Sequence, residues 1–264
     1  MVSAVLTRYE APRRTALQAL LGIGLVLPAI AVATLWLYGE FDGAVGGSAV
    51  LVFCLAVAAV ETLVFAAAAM RSAEMVGELR HACDELYRLA YLDPLTGLLN
   101  RRGFDKAASE ILAAPAARGR PVAALMCDLD HFKAINDEFG HGFGDAALRH
   151  FADVLRAASA DRNIILGRMG GEEFLLLLMD FTPQDAFSFA ESLRLAVASR
   201  PVEWDGVKAR ITTSVGFAST PSTDGRVAPL IVRADAAVYE AKCNGRNRVA
   251  VAVATDRPYV VGRV

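Results

Sequence analysis

The chain has 264 residues, of which 55% are apolar, and its formal net charge at pH 7 is −2. A nearly neutral chain offers no broad basic surface, so no nucleic-acid partner is expected. The mean hydropathy is +0.37, and the apolar excess is concentrated near the N-terminus, which indicates membrane segments ahead of a globular domain.

Residues 1–15 form a short N-terminal segment, and residues 16–70 are predicted to form a two-helix transmembrane hairpin. The uncharged run Ala16 to Tyr38 is long enough to cross a bilayer core of roughly 30 Å. A second run, Gly47 to Met70, is interrupted only by Glu61. Because arginines precede the first run and follow the second, both termini are predicted to be cytoplasmic and residues 39–46 to face outward.

Two features of this segment have an alternative interpretation. The first run could be a cleavable signal peptide, since Ala31-Val32-Ala33 is a suitable small-residue cleavage site. Its length, and the second apolar run close behind it, favour a membrane span. Glu61 could be a sensing or dimer-contact carboxylate, or a protonated group hydrogen-bonded between helices, and the second interpretation is favoured.

Residues 71–92 are predicted to form a signalling helix that pairs in a parallel coiled coil. Apolar residues recur there at spacings of four, three, four and three, which is typical of such a seam. The seam consists of Met75, Leu79, Ala82, Leu86 and Leu89. The alternative is a single amphipathic helix packed on the domain that follows.

Residues 93–254 are predicted to form one α/β domain, followed by a C-terminal tail at 255–264. Strands and helices alternate around a central hairpin, which is typical of an α/β sandwich. After an opening helix, the predicted elements are strand Val122 to Cys127, a helix, helix Asp145 to Ala158, the hairpin Asn163–Leu166 with Phe174–Met179, helix Pro183 to Ser199, strands around Val207 to Ala218, helix Pro229 to Cys243 and strand Arg248 to Val253.

Carboxylates are found at the ends of two of these predicted strands. Asp128 follows the first apolar strand, and Glu172 and Glu173 follow Gly170-Gly171 at the tip of the hairpin. The two glycines supply the positive φ angles of a tight turn and leave the backbone open to a ligand. If the two strands are neighbours, the three carboxylates converge and require a cation. Oxygen ligands with no accompanying His or Cys cluster favour magnesium, with manganese as the alternative ion.

The Gly170-Gly171-Glu172-Glu173-Phe174 segment resembles the signature of the GGDEF family of diguanylate cyclases, in its Glu-for-Asp form. Four further motifs agree in order and spacing. They are Asp93-Pro94-Leu95-Thr96-Gly97-Leu98-Leu99-Asn100-Arg101-Arg102, Asp128-x-Asp130-x-Phe132-Lys133-x-x-Asn136-Asp137, Gly140-His141-x-x-Gly144-Asp145 and Lys242-x-x-Gly245-Arg246-Asn247.

The resemblance implies a palm-like mixed sheet flanked by helices, similar to nucleotidyl cyclases. It also implies that a homodimer condenses two GTP molecules into cyclic di-GMP. With the predicted membrane spans, the expected location is the inner membrane of a bacterium, with the catalytic domain in the cytoplasm. The matching magnesium ligands are Asp128, the Leu129 carbonyl, Glu172 and Glu173, and Glu172 also matches the general base. A metal-bound carboxylate is a weak base, so the ligand role is the firmer one.

The family pattern also implies the substrate contacts. Asn136 and Asp145 match the guanine-reading positions, although each alone is typical of a helix or turn cap and Asp145 could serve both roles. The segment Gly140 to Gly144 is interpreted as a loop that lets the base approach. The phosphate contacts are expected at the His131 and Phe132 N–H groups, Lys133, Lys242 and Arg246, with Gly170 and Gly171 lining the substrate site.

One family feature is missing, and three other functions are kept open. Asp161 and Ile164 stand where Arg and Asp form the product-binding inhibitory site, so that site is expected to be lost, although Arg168 keeps a position that the family can use for product. The alternatives are a degenerate GTP or cyclic di-GMP binding module, a membrane scaffold and a class III cyclase. Cys54, Cys83, Cys127 and Cys243 are expected to be free thiols.

Overall fold

The computed structural model describes residues 44–114, 118–221 and 226–252, and within them no side chains for residues 44–51 and 54. The helices are α1 Ala44–Tyr91, α2 Arg101–Ala113, α3 Phe132–Phe139, α4 His141–Ser159, α5 Pro183–Ser199 and α6 Ala228–Cys243. The strands are β1 Leu99–Asn100, β2 Val122–Leu129, β3 Ile164–Gly170, β4 Glu173–Met179, β5 Val202–Trp204, β6 Val207–Ala209, β7 Thr213–Thr220 and β8 Val249–Val251.

Six strands form one mixed sheet in the order β1-β3-β4-β2-β7-β8. The β2 strand pairs antiparallel with β4 and β7, and β3 pairs antiparallel with β4, whereas β1 and β8 join the edges in parallel. All eight residues of β2 are buried. This confirms the prediction of a mixed α/β sheet with the central hairpin inside it.

Helices cover both faces of this sheet because successive strand residues point to opposite sides. On β2, Leu125 and Cys127 pack with one set of core side chains, whereas Ala124 and Met126 pack with the other. The first set includes Phe151 of α4 and residues of α5, and the second includes residues of α2 and α6. The end of β2, where Asp128 lies, is therefore fixed from both faces.

One prediction of local structure is wrong. The α4 helix begins at His141 rather than Asp145, because Gly140 (φ 83°) ends α3 and lets α4 start at once, so Gly140 to Gly144 is not an open loop. The strands predicted around Val207 to Ala218 are β6 and β7, and they belong to different sheets: β6 pairs with β5 in a separate two-stranded sheet, and β7 belongs to the main sheet. A turn at Asp205 and Gly206, both with positive φ, joins β5 to β6.

The chain divides into two compact units between Cys83 and Asp84, within α1. By length and composition, Leu55–Tyr91 is the one helix in the described residues that could cross a membrane. The predicted span Gly47 to Met70 falls inside α1, and Glu61 is exposed there. Residues 1–43, which include the first predicted span, lie outside the described residues, and so does the predicted tail at 255–264.

The seam predicted for residues 71–92 is exposed along α1. Met75 is 70% exposed and Leu79 64%, in the first unit; in the second unit, Leu86 is 65% and Leu89 71% exposed. Leu86 and Leu89 are therefore not buried against the domain, which goes against the alternative of an amphipathic helix packed along this face. What covers the seam stays a prediction.

Candidate active site

The carboxylates predicted from the sequence meet at the end of β2. In the antiparallel pairing of β2 with β4, Asp128 lies opposite Glu173. The Leu129 N–H donates to the Glu172 carbonyl oxygen at 3.3 Å, which holds the hairpin turn against β2. Gly170 and Gly171 have φ angles of 151° and 48°, conformations that side chains disfavour. The glycines thus let the turn place Glu172 and Glu173 beside Asp128, as the strand order requires.

Asp128 is a buried carboxylate with a raised pKa. Burial raises the pKa of Asp128 to about 6, Lys242 opposes the shift, and the charges of Glu172 and Glu173 add to it. The Lys242 Nζ lies 2.6 Å from Asp128 Oδ2. The site therefore attracts a cation, and in this structure the cation is the Lys242 ammonium.

The pairing of Lys242 bears on the predicted metal site. No group of three or more His, Cys, Asp or Glu residues in the described part of the chain is arranged to hold a metal ion. The candidate side-chain ligands at the end of β2 are nevertheless all carboxylate oxygens, those of the buried Asp128 and of Glu172 and Glu173 beside it. Such a donor set suits a hard divalent cation. The Lys242 ammonium, which contacts Asp128 Oδ2, would compete with such a cation for this carboxylate.

Asp130, two residues further on, has quite different surroundings. Its carboxylate accepts hydrogen bonds from Thr212 Oγ1 at 2.7 Å, Ser214 Oγ at 2.6 Å and the Asn247 N–H at 3.0 Å. Its own N–H donates to the Thr212 carbonyl oxygen at 2.9 Å. Asp130 is therefore a structural anchor that ties the end of β2 to β7 and to the Gly245-Arg246-Asn247 turn.

The hairpin has a second support that the sequence alone did not indicate. Arg168 Nη1 lies 3.0 and 3.1 Å from the two Asp93 carboxylate oxygens. Arg168 Nε and Nη2 both donate to the Gly171 carbonyl oxygen, at 2.9 and 2.7 Å. Burial acts to raise the pKa of Asp93, but hydrogen bonds from Thr96 and Arg168, with the Arg168 charge, hold it below its usual value. Arg168 is thus engaged inside the domain.

The predicted phosphate contacts lie around the start of α3 and the end of α6. His131 precedes α3 with φ 58° and no side-chain cap, so the first N–H groups of the helix have no partner within it. Lys133 is exposed on its first turn. Gly245 (φ 105°) and Arg246 (φ 60°) form the turn after α6, as the motif predicts. Lys242 was predicted to contact phosphate, and in this structure its ammonium contacts Asp128.

The two residues predicted to read guanine lie on adjoining helices, Asn136 on α3 and Asp145 on α4. A Cβ on Gly144 would lie 1.9 Å from Asn136 Oδ1, so a larger residue there would force the Asn136 side chain to move. Asp145 lies inside α4, so the prediction that it caps the helix is wrong; its carboxylate is 4.0 Å from Arg149. Trp204, which the sequence did not single out, is 46% exposed and contacts the first turn at Gly142.

Cys83, Cys127 and Cys243 are free thiols, as expected, and burial raises the pKa of Cys127. The Cys54 side chain lies outside the described residues. None of the predicted metal, phosphate or guanine contacts is a cysteine.

A six-stranded mixed sheet with a glycine hairpin and convergent carboxylates defines a nucleotidyl-cyclase-like α/β domain. Residues 90–248, more than half of the chain, match the model of the family described as diguanylate cyclase, GGDEF domain. The chain belongs to this family.

Curated relatives and solved structures agree with this family. The response regulator PleD of Caulobacter vibrioides is 41% identical over 174 residues, covering 65% of this chain and 38% of PleD. The bifunctional diguanylate cyclase/cyclic di-GMP phosphodiesterase MucR of Pseudomonas aeruginosa is 36% identical over 220 residues, covering 79% of this chain and 32% of MucR. The chain thus spans well under half of these relatives.

A crystal structure of the coiled coil and GGDEF domain of DgcB from Caulobacter crescentus, in complex with c-di-GMP, is also similar. It aligns with a TM-score of 0.63 and 33% identity, covering 70% of this chain and 98% of that one.

Proposed function

We propose that this protein is a diguanylate cyclase that condenses two GTP molecules into cyclic di-GMP. The observation that carries the proposal is the placement of Glu172 and Glu173, by a two-glycine turn, beside the buried Asp128. In the reaction, the 3′-hydroxyl oxygen of each ribose bonds to the α-phosphorus of the other nucleotide. The bond from each α-phosphorus to the β-phosphate oxygen breaks, and two pyrophosphates leave.

Asp128, the Leu129 carbonyl, Glu172 and Glu173 would hold magnesium, or manganese in its place. The bound ion would neutralise the developing phosphate charge. Asp128 and Glu172 would then act chiefly by holding charge in position, and Glu172 would also accept the hydroxyl proton. Lys242 could exchange the Asp128 carboxylate for a substrate phosphate, because its ammonium binds either anion.

The first N–H groups of α3 and Lys133 would bind the terminal phosphates together with Arg246. Asn136 and Asp145 would pair with the edge of guanine, since a carboxylate accepts from its N–H groups and an amide can donate to its oxygen. Trp204 lies close to Gly142 in the first turn of α4, and Asp145 follows directly after this turn.

The assembly proposed for the whole chain is a homodimer, because one domain holds one GTP and the reaction joins two. Residues 71–92 would pair through the exposed seam, residues 16–70 would anchor the chain in the inner membrane of a bacterium, and residues 93–254 would form the cytoplasmic catalytic domain. The exposure of Leu86 and Leu89 supports a partner helix, since exposed apolar stripes of this kind are typical of interaction surfaces.

The test is incubation of the full chain with GTP and Mg²⁺, followed by chromatography of the nucleotides, with ATP as the control substrate. The wild type is expected to form cyclic di-GMP and pyrophosphate from GTP alone. Glu172→Gln should lower the rate by about 10² or more, because an amide does not bind the metal as an anion. Binding of GTP without product would instead assign a degenerate binding module.

A further inference from the structure

A cleft of about 720 Å³ is lined by the Gly170-Gly171 turn of the hairpin but not by Asp128. It is bounded by the end of α1, the start of α2 and the backbone of Gly170 and Gly171. In the sheet order β1-β3-β4-β2, the cleft adjoins β1 and β3, whereas Asp128 lies on β2. The hairpin therefore separates the cleft from the carboxylates, and the volume suits a nucleotide.

The charged side chains in the cleft are three arginines and two aspartates. Arg168 and Asp93 neutralise each other through their ion pair. The charged side chains that remain are Arg101 and Arg102, which are positive, and Asp105, which is negative. Arg101 and Arg102 are both exposed, and neither makes an ion pair or hydrogen bond with any residue that the structure describes. The cleft thus has a positive charge with no partner in the domain.

The position of this charge is unfavourable for the helix that carries it. Arg101 and Arg102 are the first two residues of α2, which has no acidic residue in its first turn. Cations at a helix N-terminus are disfavoured by the helix dipole. Packing gives no compensation because both side chains are exposed. A residue pair that breaks a local rule without structural benefit is typical of a functional site.

The geometry points to a second guanine-nucleotide subsite in this cleft, in which Arg101 and Arg102 bind the phosphates of a nucleotide other than the one held at the carboxylates. The inference rests on the proposed function. Guanidinium groups suit this ligand because they pair with phosphate oxygens through two parallel hydrogen bonds and stack on a base. The glycine backbone leaves room for such a ligand, since a Cβ at Gly170 or Gly171 would meet only open space.

Two nucleotides have this chemistry. One is the GTP carried by the second copy of the chain, whose 3′-hydroxyl must approach the same hairpin. The other is free cyclic di-GMP. In the first case the arginines position the second substrate for attack; in the second they bind product. Both sources place a phosphate next to the Gly171-Glu172 turn.

The test compares the full-length wild type with Arg101→Ala/Arg102→Ala and Arg101→Lys/Arg102→Lys. Arg118→Ala is the matched control, because Arg118 is exposed and lies outside the cleft. The measurements are the rate of cyclic di-GMP formation against GTP concentration, inhibition by added cyclic di-GMP, and thermal unfolding. The alanine pair should unfold no earlier than the wild type.

If the partner's GTP is the ligand, the alanine pair should lower kcat at least tenfold and weaken the calorimetric affinity for a non-hydrolysable GTP analogue, with the affinity for cyclic di-GMP kept. If product is the ligand, kcat should be kept and the affinity for cyclic di-GMP should fall at least tenfold. The lysine pair should recover part of either effect. Changes within twofold of the Arg118→Ala control in both quantities would overturn the subsite.

Failure of the proposed function gives a different result. A wild type that forms no cyclic di-GMP refutes the cyclase assignment. The calorimetric affinities of the same variants for the GTP analogue and for cyclic di-GMP still decide whether the arginine cleft binds a nucleotide. Equal affinities for both ligands across all four proteins would then refute the subsite as well.

Discussion

Asp128 and Asp130 lie two residues apart at the end of β2 and are almost equally buried, at 4% and 3% exposure. Asp130 accepts three hydrogen bonds from uncharged donors, whereas Asp128 faces two glutamates and pairs with a single lysine. The three donors satisfy the Asp130 carboxylate without an added cation. The arrangement around Asp128 leaves excess negative charge for an external cation. Burial alone therefore does not separate a structural carboxylate from a functional one, but the partners do.

The largest expected effect comes from removing the charge of Asp128. Asp128→Asn should lower cyclic di-GMP formation by about 10²–10³, because the metal loses a buried anionic ligand. The variant should remain folded, since the substitution also removes a desolvated charge. The rate at saturating GTP and Mg²⁺, with circular dichroism for the fold, is the measurement. A rate close to that of the wild type would remove the distinction between the two aspartates.

Asp130 should show the opposite pattern, with loss of stability first. Asp130→Ala leaves Thr212, Ser214 and the Asn247 N–H without their acceptor, at a cost of about 2–3 kcal/mol in the free energy of unfolding. Denaturant unfolding of the full chain in detergent measures this cost, with Asp137→Ala, an exposed carboxylate on α3, as the matched control. Equal midpoints for Asp130→Ala and the control would show that Asp130 is not an anchor.

The pKa of Asp128 gives the comparison a pH dependence. Its folded pKa of about 6 lies above the ordinary 3.8, so the folded state binds the proton more tightly and this group makes the metal-free protein more stable as pH falls. Between pH 7 and pH 5 this group should raise the free energy of unfolding by roughly 1.4 kcal/mol. Denaturant unfolding in EDTA should show it in the wild type but not in Asp128→Asn. Identical pH profiles for the two proteins would contradict the raised pKa.

The smallest effect concerns the support of the hairpin from its other side. Arg168→Ala removes the donors to the Gly171 carbonyl and should lower kcat about tenfold, with little change in KM, because the turn loses its position relative to Asp128. Arg156→Ala is the control, since Arg156 also binds the opening loop, through the Thr96 carbonyl, but does not reach the hairpin. A similar kcat for both variants would show that Arg168 acts only on stability.

The sequence predicted the parts of this site that depend on local pattern. The apolar run of β2 and the glycine pair placed Asp128, Glu172 and Glu173 at strand ends, and the convergence predicted for neighbouring strands is met because β2 pairs with β4. The packing of helices on both faces of the sheet also agrees with the alternation of strands and helices.

The parts that depend on long-range contacts were not predicted. Arg168 and Asp93 are 75 positions apart, and Asn247 and Asp130 are 117 apart. No local pattern links such pairs. The start of α4 was misplaced for another reason: three glycines between residues 140 and 144 indicate a loop, but Gly142 and Gly144 are used for close contacts with Trp204 and Asn136 within a helix.

The most direct test of the difference between the two aspartates is a titration of the metal-free protein with Mn²⁺ in the presence of a non-hydrolysable GTP analogue. The wild type and Asp130→Asn, which keeps an acceptor for Ser214, should bind the ion with similar affinity. Asp128→Asn should bind it at least tenfold more weakly. Equal affinity in the wild type and Asp128→Asn, or an equal loss in a folded Asp130→Asn, would contradict the assignment of Asp128 to the metal and Asp130 to the fold.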